Sequence, residues 1–142
     1  MNRCVRRFVE WDSVAMGLGM VAAPRMLLEK LATGKSGDEF EAYGRTIARE
    51  LLKPAAGFIG EIDVVTCVEV LRRASTYGRS FNFEFGEGKD SRSHVLVLRH
   101  DQGQLWSRYY AGLLDETFRV ILGEEAKVTL TDSLCILKMN VH

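Results

Sequence analysis

The chain has 142 residues with 19 basic and 19 acidic side chains, so its formal net charge is zero. One domain, 1–142, is the natural reading, because two cores of half that length would each be undersized. A hydrophobic share of 46% with 27% charged residues excludes wholesale disorder and fibrous structure, and the even charge balance argues against a dedicated nucleic-acid or membrane-surface binder.

In chain order, Arg3, Arg6 and Arg7 form a basic start, and residues 1–10 read as an arm or junction. Glu10 and Asp12 interrupt what would be the apolar core of a signal peptide. The longest uncharged stretch, Ser13 to Pro24, is 12 residues, short of the roughly 20 that span a bilayer. Cys4, Cys67 and Cys135 are odd in number and widely spaced, which encodes neither a disulfide framework nor a zinc knuckle. A reducing cytoplasm is the expected setting.

A short first helix is expected over 12–19, opened by Asp12 or Ser13 and limited by Gly17 and Gly19. A second helix follows Pro24, carries the apolar stripe Met26, Leu27, Leu28 and Leu31, and ends before Gly34. The overlapping patterns Ser36-x-x-Glu39 and Asp38-x-x-Glu41 are capping boxes that start a third helix. It presents Phe40, Tyr43, Ile47 and Leu51 and should stop before Pro54. Asp63 caps a fourth helix ending at Gly78, although its β-branched residues would also suit a strand.

From Ser80 the period becomes two. Phe81, Phe83 and Phe85 alternate with polar residues, the 86–91 segment is a hairpin loop, and His94 to His100 returns with Leu96 and Leu98 on one face. Asp101 is the expected cap of a long helix closed by Gly123, and strands near 126–131 and 134–139 meet at Asp132-Ser133. The expected class is α+β, in the order αααα-ββ-α-ββ, with N-terminal helices packed on a four-stranded antiparallel sheet.

Chemistry-bearing residues are sparse. His94 and His100 are six apart, about 20 Å along one strand, and cannot ligate one ion. Gly86-x-Gly88 precedes a strand rather than the helix N-terminus that a phosphate loop needs, and Gly17-x-Gly19 follows no strand. Arg99-His100-Asp101 with Ser107 would make a hydrolase only if the serine reached the histidine and a third group oriented it. Asp101 as a cap and Ser107 within a helix argue against that. No catalytic residue, metal or cofactor is therefore expected. The aromatic cluster of the second half reads as core, with an apolar pocket rimmed by His100, Trp106, Tyr109 and Tyr110 as the ligand-binding alternative, and self-association as a third use.

Phe8-Val-Glu-Trp11, Tyr43-Gly-Arg45 with Arg49-Glu-Leu-Leu52, Arg99-His-Asp-x-Gly103-x-x-Trp106-Ser107 and Val128-Thr-Leu-Thr-Asp132-Ser133 resemble an uncharacterised archaeal domain family. In that group similar domains often follow a ribbon-helix-helix segment, and none precedes Trp11, which suggests a stand-alone or trimmed version. More remotely, the element order, Tyr43-Gly-Arg45 and Tyr110-Ala-Gly112-Leu-Leu114 resemble the vinyl-reductase-type domain superfamily. That resemblance implies a homodimer with an apolar cavity beside the sheet. The paired cysteines of its C-terminal strands are reduced here to Cys135. The expected function is thus a non-enzymatic regulatory or sensor-type domain that dimerises and binds an apolar small molecule. The rivals are an interaction module without a ligand, a small enzyme with a cleft where Arg99, His100 and an acid converge, and part of a DNA-binding transcription regulator, with nucleic acid not bound by this domain alone.

Overall fold

The computed structural model describes residues 15–16, 25–59, 62–78, 80–89, 92–123 and 125–140. Within them the elements are α1 (Arg25–Ala32), α2 (Gly37–Ile59), α3 (Val64–Gly78), β1 (Asn82–Glu87), β2 (Ser93–Arg99), α4 (Gln104–Leu122), β3 (Lys127–Leu130) and β4 (Leu134–Asn140). The class is α+β as expected, but the described order is ααα-ββ-α-ββ rather than αααα-ββ-α-ββ. The helix expected over 12–19 lies outside the described residues except for Ala15 and Met16, which are helical. The basic arm at 1–10 lies outside them entirely.

The strands form one antiparallel sheet in the order β1-β2-β4-β3. Register puts Phe83 opposite Leu98, Leu98 opposite Cys135 and Cys135 opposite Leu130. The next row on the same face is Phe85, Leu96, Leu137 and Val128. Because side chains alternate across a pleated strand, these rows make one continuous apolar face. Tyr110, Leu114 and Phe118 of α4 close the core over it, with Val64, Cys67 and Leu71 of α3 alongside.

Two helix boundaries follow the sequence. Ser36 Oγ accepts from the Glu39 N–H at 3.2 Å while the Glu39 carboxylate accepts from the Ser36 N–H at 2.8 Å, a reciprocal capping box. Asp63 accepts from the Thr66 N–H at 2.7 Å and settles 64–78 as helix. Two others are corrected. α2 continues through Pro54 to Ile59; proline removes one backbone hydrogen bond, and Leu51, Leu52, Ala55 and Ala56 around it are strong helix formers that carry the helix past a local cost of about 3 kcal/mol. Asp101 is not the cap of α4. That place is held by Gly103 at φ 87°, with no side-chain cap, because the Asp101 carboxylate and carbonyl both accept from Arg25 of α1 at 3.2 Å.

The face that α2 turns inward also differs from the apolar stripe. Phe40, Gly44 and Ala48 are buried, whereas Tyr43 and Ile47 are exposed. The reason is a close crossing with α4. A Cβ on Gly44 would lie 2.1 Å from the Tyr109 carbonyl oxygen, and one on Gly112 would lie 2.1 Å from that of Glu41. Each helix thus offers a glycine notch to the other's main chain, and α4 is held between α2 and the sheet.

Candidate functional site

Three groupings bear on function. The first is the set expected from sequence, and the structure brings all four of its members together. His100 follows the end of β2, while Trp106, Tyr109 and Tyr110 occupy the first turns of α4. Ring centroids are 5.2 Å apart for His100–Tyr110, 5.4 Å for Tyr109–Tyr110, 5.4 Å for Trp106–Tyr109 and 6.4 Å for Trp106–Tyr110. Phe40 meets Trp106 edge-on at 5.5 Å, and Phe81 meets Tyr110 at 5.6 Å. These are tilted and edge-to-face contacts at packing distance, so the rings fill the space among themselves. Burial pushes the Tyr110 phenol up to about 12, and its hydroxyl donates to Gln102 at 2.9 Å. His94, at the other end of β2, stacks on Phe85 at 5.3 Å and takes no part.

The second grouping is the histidine–serine pair. His100 Nε2 lies 2.8 Å from Ser107 Oγ, both buried, which meets the distance requirement for a nucleophile and base. The surrounding hydrogen bonds fix the protons the other way. The Gln102 N–H donates to His100 Nδ1 at 3.2 Å, so Nδ1 is an acceptor and the ring proton sits on Nε2. The Ser107 hydroxyl donates to the Thr131 carbonyl at 2.5 Å. Serine therefore receives a hydrogen bond from histidine rather than giving one, and the imidazole has no vacant nitrogen to take its proton. Burial lowers the His100 pKa and favours this neutral form. The chain Gln102–His100–Ser107–Thr131 is a strut joining the end of β2, the start of α4 and the β3–β4 turn. Cys67 and Cys135, with thiols pushed by burial up to about 11 and about 12, stay protonated in the core.

The third grouping is one that sequence reasoning missed. A cleft of about 540 Å³ opens where α2, α4 and β3 meet. At its base the Glu116 carboxylate, 2% exposed, receives Arg49 Nε at 2.7 Å and Arg119 Nη2 at 2.7 Å, with Arg45 Nη1 at 3.7 Å. The hydrogen bonds from Arg119 and Arg49 hold its pKa down to about 2, against the cost of burial. Arg45 also donates to Asp115 at 2.6 Å and to Glu41 at 3.1 Å. Asp115 accepts the Ala126 N–H at 3.4 Å, tying α4 to the entry of β3. Arg108 joins Glu41 at 3.2 Å and Asp38. Glu41–Arg45 and Glu116–Arg119 are visible in sequence as i,i+4 and i,i+3 pairs. The cross-helix pairs are not, because they depend on the register that Gly44 and Gly112 impose.

Among the described residues no helix is long and apolar enough to cross a membrane, and no three histidine, cysteine or acidic side chains gather as a metal site. Comparison with protein families, curated proteins and solved structures finds no match to this chain.

Proposed function

We propose that the chain is a non-enzymatic regulatory domain that acts by self-association, two copies meeting through the outer helical layer. The observation that carries this reading is the apolar surface of α1 and α2. Met26, Leu27 and Leu31 on α1, and Tyr43 and Ile47 on α2, are between 40% and 66% exposed. A helix of eight residues is marginal by itself, and α1 is pinned at its start by Arg25 on Asp101 while most of its apolar stripe faces outward. A second copy is the occupant that suits it. The chain carries zero net charge, so two copies approach without long-range repulsion, and a homodimer is also what the resemblance to vinyl-reductase-type domains implies. Regulation then works by population shift, an effector or partner favouring one arrangement of the pair. The rings of His100, Trp106, Tyr109 and Tyr110 already touch, so assembly rather than a ligand held among them is assigned the regulatory role.

Sedimentation velocity tests the proposal. The wild-type chain is expected to sediment as a dimer at micromolar concentration, and the double variant Leu27→Glu, Leu31→Glu as a monomer with an unchanged circular dichroism spectrum. A wild-type chain that remains monomeric across the accessible range, or a double variant that dimerises equally well, overturns it.

A further inference from the structure

We propose that the cleft over Glu116 binds a small amphiphilic oxyanion, a carboxylate or phosphate head carried on a short apolar body. This goes beyond self-association and does not depend on it: Arg45 and Arg49 lie roughly half a helical turn away from Tyr43 and Ile47 around α2.

The cleft volume of about 540 Å³ falls in the usual range for small-molecule sites, and its two walls differ in kind. On the helical wall, Arg49 and Arg119 keep 55% and 44% of their side chains exposed. Glu116 engages only the Nε of Arg49, and the Nε and one terminal nitrogen of Arg119. Terminal N–H groups of both guanidiniums are thus left over among the described residues, and a planar guanidinium presents such groups as a fork that matches an oxyanion. Glu116 cannot serve as the competing acceptor, since both its oxygens are already occupied.

Charge is distributed unevenly along the network. Four guanidiniums face four carboxylates overall, but Asp38 and Glu41 gather at the Arg108 end while Arg49 and Arg119 share Glu116 at the other. Both ends line the cleft, with Glu125 exposed on its rim, so the lining is balanced overall and the seat for an anion is its locally positive part, where Arg49 and Arg119 share the single carboxylate of Glu116. On the opposite wall, Ala126, Val128 and Leu130 of the β3 segment are apolar and half-buried against the core. A head seated on the arginines would lay its body along this edge strand, removing apolar surface from water.

Isothermal titration with octanoate, octyl phosphate, 1-octanol, acetate and inorganic phosphate tests the assignment. One of the two octyl anions is expected to bind saturably, with 1-octanol and the two small ions at least about tenfold weaker. The tighter octyl anion identifies the head. Arg49→Gln and Arg119→Gln should each weaken that anion about tenfold, with Arg49→Lys recovering part of the loss and circular dichroism confirming the fold of every variant. Absence of saturable binding by both octyl anions, equal binding of 1-octanol, or affinity unmoved in both glutamine variants overturns the proposal. None of these outcomes bears on the sedimentation result, so the two readings fail separately.

Discussion

Replacing Gly44 by alanine probes the feature on which both helical groupings depend. The added Cβ would sit 2.1 Å from the Tyr109 carbonyl oxygen and 2.7 Å from the Leu113 nitrogen. Both are backbone atoms of α4, so no side chain can rotate away. Restoring ordinary contact requires the two helices to separate by on the order of 1 Å, which strips dispersion contacts from Phe40 and Trp106 and stretches the Arg45–Asp115 and Arg49–Glu116 bonds. Alanine also gains about 1 kcal/mol of helix propensity over glycine. Overpacking of 1–3 kcal/mol, with up to about 1 kcal/mol from the weakened ion pairs, outweighs that gain, for a net loss of about 1–3 kcal/mol. For a domain of this size the thermal midpoint should fall by roughly 3–12 °C. Urea and thermal unfolding, followed by circular dichroism and by tryptophan fluorescence, measure it. Gly86→Ala is the control, because a Cβ there meets nothing within 4 Å, and its stability should change little. A Gly44→Ala protein as stable as wild type, or more so, would show that helix propensity alone governs the position and would refute the close crossing.

Three further outcomes follow from the struts around that crossing. Glu116→Gln leaves Arg49 and Arg119 without their buried counter-charge and should cost about 2 kcal/mol in urea unfolding, less than a wholly buried pair because the guanidiniums reach water. Ser107→Ala strands the His100 Nε2–H and the Thr131 carbonyl and should cost about 2 kcal/mol by the same assay. On the acid side two windows should separate. The folded His100 pKa lies below its ordinary 6.5, so its contribution is complete above 6.5 and is lost as pH falls from there toward the lower folded value. Glu116, held near 2 against an ordinary 4.5, contributes above 4.5 and loses that stabilisation as pH falls toward 2. His100→Gln should flatten only the upper window and Glu116→Gln only the lower, as read from chemical denaturation across pH.

Local signals in the sequence reached as far as local physics does. Alternation at Phe83, Phe85, Leu96 and Leu98 gave the sheet and its inner face, and Ser36, Asp63 and Gly123 gave three helix ends, because each depends on neighbours a few residues away. Asp101 misled because its carboxylate answers to Arg25, 76 positions earlier, rather than to the helix beside it. The apolar stripe of α2 misled at Tyr43 and Ile47, because beside Phe40 the inner face goes to Gly44 and Ala48, where two backbones approach closely. The four aromatic and histidine residues singled out for a ligand do assemble, yet composition could not tell a lined pocket from rings packed on one another. The arginine–carboxylate cleft lay beyond reach for a related reason: Arg49 and Glu116 are 67 positions apart, and only the docking of two helices makes them partners.

The strand order β1-β2-β4-β3 has a consequence for how the molecule is made. β2 and β4 occupy the two inner places, yet β4 is synthesised last of the described elements. Until it emerges from the ribosome, β2 presents an open edge carrying Leu96 and Leu98, and the first hairpin is a two-stranded ribbon of marginal independent stability. The nascent polypeptide is thus exposed to edge-to-edge mispairing for as long as α4 and the second hairpin take to appear, and chaperone dependence during translation should track the delay before Leu134–Asn140 is available rather than the strength of the finished core.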